Sequence, residues 1–470
     1  MKILILHGID SVAQSRRTSI HHAFFLLRHE PNHEYWLQAA QATIPPSLLR
    51  EKFDAIIIDT TFLCWRWTGE YFPKFKAKFD FVRNMEAVKI AFPQDEYDHS
   101  EILENWLIDW KVDVVYSVCH SDRETFYPTL SRSAEIRFGY TGLFEPADID
   151  LVSRFSSPWR ERAIDVGYRA RRLPPYFGWF GKLKSDIADR FNEATENKDI
   201  TTNISCQPED ALMGNDWLRF LGKCRFILGC ESGSSVLDKR GAIKAKCEIY
   251  LSRNPQATFE TVAAKCFPGE DRAKPFTAIS PRLFEAAAAG CGQILVPGNY
   301  GGILEPWTHY LPLSADASNI DEILTAMNDL DRMEEMIKAS QMVLLENPKF
   351  TYRSYAQDAI SAIHDRLPNA KPDRSEDPID ALLRLSLLTA ERWSHDYKEG
   401  ISTLAAEKAA EFADRVRATV LTANSLSSRR IYIRHLSLNI ANSIYVGLRR
   451  SAKLVLRVAQ YLFTQRKKAK

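Results

Sequence analysis

Short apolar runs alternate with longer stretches of helical spacing from the first residue onward. The runs predict strands at 2–6, 55–58, 88–92, 112–118 and 136–140, with helices between them such as 18–29 and 100–110. Strands alternating with helices make βαβ units around a parallel sheet. Such a sheet collects its functional loops at the carboxyl ends of its strands. Here those ends carry His7-Gly8-Ile9-Asp10, Asp59-Thr60-Thr61, Gln94-Asp95-Glu96 and His120-Ser121-Asp122, a polar rim.

The pattern breaks around residues 153–162, where Ser-Ser-Pro reads as a linker, and then starts again. The second series predicts strands at 164–168, 200–205, 225–228, 293–296 and 310–313. Its helices are expected at 181–193, 281–289, 320–328, 332–346 and 352–366. The fold class is therefore α/β, with two Rossmann-like domains and a helical C-terminal extension. The expected boundaries are 1–150 for the first domain, 151–163 for a linker and 164–367 for the second domain, with an insertion at about 233–277. A Pro- and charge-rich linker at 368–378 leads to a helical extension at 379–470.

Composition adds two facts. The 470 residues are 45% hydrophobic and 26% charged, which excludes a disordered or fibrous chain. The net charge of +2 hides an asymmetry, because residues 426–470 carry eleven Lys or Arg and no Asp or Glu. The body is thus mildly acidic, which argues against nucleic acid as a partner. Eight cysteines show neither a CxxC pair nor zinc spacing and read as reduced thiols. The N-terminus reads as a first strand rather than a secretory signal. No apolar run is long enough for a transmembrane helix, so a cytoplasmic protein is expected.

The segment richest in chemistry is Ser280-Pro-Arg-Leu-Phe-Glu-Ala-Ala-Ala-Ala-Gly-Cys291. Ser280 is a good N-cap and Pro281 suits the first helical position. Arg282 and Glu285 lie three apart and share a helix face. The alanines allow close approach to a sheet, and Gly290 ends the helix. A helix N-terminus attracts phosphate, and Arg282 adds a planar donor fork.

From Ser280 to Leu313 the chain resembles the donor-binding domain of GT-B glycosyltransferases of the retaining group 1, family 4-like type. The resemblance implies that Glu285 contacts the donor ribose and Arg282 the diphosphate. It also implies that the loop with Glu231, Ser232, Gly233 and Ser234 faces the donor. Gly301-Gly302 and Glu305-Pro306 fit the type as well. The family places a second Glu eight positions before the ribose Glu; this chain has Thr277 there, and Glu231 is the candidate replacement.

Around that core, Arg169, Arg171 and Arg172 follow the first strand of the second domain, where cations would neutralise a departing diphosphate. His120 and Asp95, at strand ends of the first domain, are the acid/base candidates beside Glu231. Asp148-Ile-Asp150 and Asp329-Leu-Asp331 match a metal–diphosphate pattern by chance frequency only, so no metal or other cofactor is expected. No phosphate-binding P-loop or dinucleotide fingerprint follows a strand. The tail at 443–470 has an apolar stripe flanked by Arg449, Arg450, Lys453 and Arg457, the form of an in-plane membrane anchor.

These readings converge on a glycosyltransferase, peripheral on the inner face of the membrane. It would move sugar from a nucleotide-sugar to a glycan or lipid-linked acceptor in surface polysaccharide assembly. The alternatives are a nucleotide-sugar epimerase of the same layout and a degenerate transferase fold acting as a membrane-recruited scaffold.

Overall fold

The computed structural model describes residues 1–367 except 10–14, 120–121, 144, 213–214 and 273, and the side chains of 147, 148 and 150. His120 and the extension beyond 367 with its basic tail lie outside the described residues.

The first lobe is a six-stranded parallel sheet: β1 (Lys2–His7), β2 (Glu34–Ala39), β3 (Ala55–Ile58), β4 (Val88–Ala91), β5 (Val114–Ser117) and β6 (Glu135–Phe138), in the order β2-β1-β3-β4-β5-β6. Strand side chains alternate between faces. Ile3, Ile5, Ala55 and Ile57 pack on one face, while Leu4, Leu6, Ile56 and Ile58 pack on the other. Both faces are covered, which is why these strands read as unbroken apolar runs. Strand β2 escaped the sequence reading: its Glu34 and Gln38 break up the apolar run around Tyr35 and Trp36.

The second lobe holds β7 (Ile164–Arg169), β8 (Thr202–Ser205), β9 (Cys224–Gly229), β12 (Gly292–Leu295) and β13 (Leu311–Pro312), all parallel in the order β13-β12-β9-β7-β8. The insertion is a unit of its own. A short antiparallel ribbon, β10 (Ser232–Ser234) with β11 (Phe276–Ala278), forms its base. It carries the helices Ala242–Arg253 and Phe259–Cys266.

The lobes share material across the expected boundaries. The helix Pro146–Ser153 belongs to the second lobe by packing, since Val152 sits with Leu218, Leu221, Ala286 and Ala289. The helix Tyr352–His364, expected to close the second domain, lies on the first sheet instead. Tyr352, Tyr355 and Ala359 join the core of Ile3 and Phe25, and Asp358 accepts the Tyr116 hydroxyl at 2.5 Å. The insertion also grips the first lobe: the His99 amide donates to the Asp238 carbonyl at 2.7 Å, and Arg240 pairs with Glu101. Among the described residues no helix is long and apolar enough to cross a membrane.

Candidate functional site

The helix Pro281–Ala288 forms as its residues require. Ser280 caps it by accepting the Arg282 amide, and Pro281 fills the first turn. Ala286 and Ala287 are buried against their neighbours. At the other end the buried Arg162 guanidinium donates to the carbonyls of Ala289 at 2.7 Å and Gly290 at 3.3 Å. That cation satisfies carbonyls left over at the helix end. The helix is thereby anchored from behind, with its positive end facing forward.

That positive end opens into a cavity of about 220 Å³ at the junction of the lobes, lined by Ser280, Pro281, Arg282, Arg171, Lys184, Tyr168, Cys230, Ser232 and Arg16, among others. Three of the cations come from the second lobe and Arg16 from the first. Among the described residues none of the four forms an ion pair with a carboxylate. Arg282 lies 5.8 Å from the ring centres of both Tyr168 and Trp217. Burial lowers the Lys184 pKa, Arg282 and Arg16 push it further down, and Cys230 and Asp95 oppose them. Burial followed by Arg282 and Arg171 likewise lowers Arg16, against Asp95 and Glu285. Unpaired cations brought this close make a site for a polyanion, because they repel one another until one arrives.

Asp95, in the first lobe, is not part of the cavity lining, but its charge acts on Arg16 and Lys184. Its backbone is left-handed, φ 50°, a conformation Asp tolerates better than most residues. The buried Arg66 holds that turn by donating to the carbonyls of Gln94 (2.8 Å), Asp95 (2.9 Å) and Asp98 (3.1 Å). Tyr97 donates to the Asp95 carboxylate at 2.6 Å. The next residue, Glu96, turns inward, where it accepts the Val118 amide (2.8 Å) and the Tyr127 hydroxyl (2.6 Å). Burial raises its pKa, and these hydrogen bonds hold it down only in part. Glu96 thus ties the β4 loop to the β5 loop that leads to position 120.

The other expected site residues fall in different places. Glu285 sits one turn inside the helix, behind the cavity lining, and accepts Trp217 Nε1 at 2.8 Å. Ser232 lines the cavity, but its neighbour Gly233 serves the ribbon: at φ 147° a Cβ there would stand 1.9 Å from the Phe276 carbonyl oxygen. Glu231, expected to face the donor, is not in the cavity lining; its carboxylate accepts the Tyr300 amide at 2.8 Å. Its pKa is raised by burial, against the backbone amides of Tyr300 and Asn299. Arg169, expected at the diphosphate, is held by Asn203, donating to its carbonyl at 2.8 Å and its side-chain oxygen at 2.7 Å. Arg172 forms a two-pronged pair with Asp189. Of the three arginines at the end of β7 and just beyond it, only Arg171 lines the cavity. Asp329 caps the helix Leu330–Leu345 and Asp331 pairs with Arg160, which leaves that acidic pair a structural role.

The sequence reading missed Arg16, Lys184, Tyr168 and Trp217. Arg16-Arg17, directly after a strand-end loop, was a usable signal; Lys184, inside a helix, was not.

No family model and no curated protein matches the chain. Among solved structures, Anabaena Alr3699/HepE in complex with UDP-glucose aligns with 79% of this chain and 100% of its own, at 10% identity and a TM-score of 0.40. An alpha-glucosyltransferase in complex with UDP-glucose and DNA aligns with 77% of this chain and 99% of its own, at 10% identity and 0.42. AviGT4, a glycosyltransferase involved in avilamycin A biosynthesis, aligns with 79% and 99%, at 11% identity and 0.39. Two facing Rossmann-like lobes, one six-stranded and one five-stranded, with the carboxyl ends of their strands directed at a shared cleft, give this chain the GT-B fold.

Proposed function

We propose that the protein is a glycosyltransferase whose donor is a nucleoside-diphosphate sugar. One observation carries the reading: Arg171, Lys184 and Arg282 meet at the open end of the helix Pro281–Ala288, in a cavity between the lobes, without carboxylate partners among the described residues.

In this reading the three cations and the helix amides hold the diphosphate, with Ser232 and Ser280 beside it. When the bond from the anomeric carbon to the β-phosphate oxygen breaks, the leaving diphosphate gains a negative charge. The same cations neutralise it, the kind of preorganised stabilisation that lowers barriers most. Glu285, oriented by Trp217, receives the ribose hydroxyls. Asp95, on the acceptor lobe and near enough for its charge to act on Arg16 and Lys184, orients the acceptor hydroxyl or takes its proton. His120 keeps the acid/base role read from its strand-end position. Neutralisation by side chains leaves no task for a metal ion.

A glycan or lipid-linked acceptor in surface polysaccharide assembly extends this proposal. Its support is the basic amphipathic pattern at 443–470, which would hold the enzyme on an anionic membrane surface. The epimerase and scaffold alternatives are separated by experiment. Melting measured with UDP, GDP and their sugars should show stabilisation by one base series, lost in Glu285→Ala; products with an unlinked sugar epimer would indicate the epimerase. An absence of any shift would favour the scaffold.

A further inference from the structure

The insertion meets the first lobe at the loop after β4, the loop that carries Asp95. The Asp238 amide donates to the Tyr97 carbonyl at 2.9 Å, and the Asp238 carbonyl accepts the His99 amide at 2.7 Å. The Glu101 amide donates to the Lys239 carbonyl at 3.0 Å. Asp238 also starts the helix Ala242–Arg253, because its carboxylate accepts the Lys244 amide at 2.8 Å. Tyr97, Asp238 and His99 are all buried, so these backbone groups have no water to turn to and the two segments stay joined.

The Tyr97 ring belongs to the same apolar cluster as Leu237 and Phe276 of the insertion. Phe177, from the second lobe, meets that ring edge-on at 6.1 Å, and the Ser235 amide donates to the Phe177 carbonyl at 3.1 Å. Second-lobe groups therefore set where the phenol points. Its hydroxyl donates to the half-buried Asp95 at 2.6 Å, the length of a charge-assisted bond. Burial and the Asp95 charge raise the Tyr97 pKa well above its ordinary value, so the hydroxyl keeps its proton and stays a donor.

We propose that Tyr97 is a positioning residue for Asp95, and that the insertion serves the reaction by holding Tyr97 in place. The second lobe thereby aims a carboxylate of the first. This rests on the role given to Asp95 above and adds the residue that orients it and a task for residues 233–277.

The test uses the full chain with UDP-glucose and GDP-mannose as donors and water or octyl glucoside as acceptor, read as nucleotide release. Tyr97→Phe should lower kcat about tenfold or more, the loss of one charge-assisted bond. The donor KM, the calorimetric affinity for UDP or GDP and the melting temperature should stay near wild type. Leu237→Ala, in the insertion, should give a smaller loss of the same kind. Added to Asp95→Asn, itself weakened, neither substitution should cost anything further, since both act through that carboxylate. Wild-type kcat in Tyr97→Phe beside a weakened Asp95→Asn would overturn the positioning role and leave Asp95 standing. A loss that persists in full on the Asp95→Asn background would overturn it as well, marking Tyr97 as merely structural. An unchanged Leu237→Ala would remove the insertion from the proposal. Full activity in Asp95→Asn would overturn the reading of Asp95, and release of neither nucleotide by wild type would overturn the donor reading itself.

Discussion

Lys184→Met gives the sharpest test of the cavity, because it should move stability and binding in opposite directions. The methionine keeps most of the chain's length and packing and removes the ammonium. In the free protein that ammonium has no carboxylate partner among the described residues, and burial disfavours its charge, with Arg282 and Arg16 adding to this against Cys230 and Asp95. Replacing a partly buried, poorly compensated charge by an apolar group should stabilise by about 1–2 kcal/mol, the lower part of the range for buried ion pairs replaced by apolar side chains. For lobes of this size that is a rise of roughly 2–8 °C in Tm. Binding should suffer instead. One charge-assisted hydrogen bond to phosphate is worth about 1.5–3 kcal/mol, or roughly ten- to 150-fold in Kd. Ligand at 100 times Kd adds about 2.7 kcal/mol to wild type; with a Kd raised thirtyfold the gain falls to about 0.9 kcal/mol. The melting order should therefore invert: the variant melts higher when empty, and wild type gains far more from nucleotide. The same lysine sets a pH signature. Its pKa is lowered in the free protein and restored by a bound diphosphate, so affinity holds at neutral pH and falls as alkaline pH strips the proton from the free form. Lys184→Met should flatten that alkaline limb. A variant that melts at or below wild type when empty and gains the same ligand shift would refute the reasoning.

Two further outcomes follow from other parts of the chain. Glu145 is nearly buried, which raises its pKa, but hydrogen bonds from His21 and His29 and the charges of His29 and Arg28 outweigh burial and hold it well below the usual carboxylate range. Its folded-state pKa is depressed, so its contribution is complete above about pH 4.5 and is lost as acid protonates it. His33 is pushed down to about 4 by burial and the charged N-terminus, and its contribution fades from about pH 6.5 downward. Tm should thus fall steadily from pH 6.5 toward 3.5, with the steepest part below 4.5 reduced in Glu145→Gln; a Tm flat with pH would contradict both. For the membrane proposal, co-sedimentation with anionic vesicles should pellet the intact chain and leave a truncation at residue 425 in solution. Equal pelleting would reject the anchor.

The sequence alone determined every strand of the two main sheets but β2, most helix positions and the start of the helix at Pro281, because each depends on local periodicity and capping. Ser280, Pro281 and Gly290 act through their own backbone neighbours, so they are legible in one dimension. Arg282 was legible for the same reason: three residues along a capped helix fix where it points. What lay beyond sequence was the partner of each charge. Arg169, Arg171 and Arg172 look alike in a row, yet Asn203 and Asp189 claim two of them and leave only Arg171 for the cavity. Glu231 followed the right strand, but its carboxylate is taken by the amide of Tyr300, sixty-nine residues away. Arg16 and Lys184, distant along the chain, became neighbours only when the lobes met. Capping and periodicity are short-range and written in order, whereas a site charge is decided by which distant group desolvates or neutralises it, and that waits for the tertiary fold.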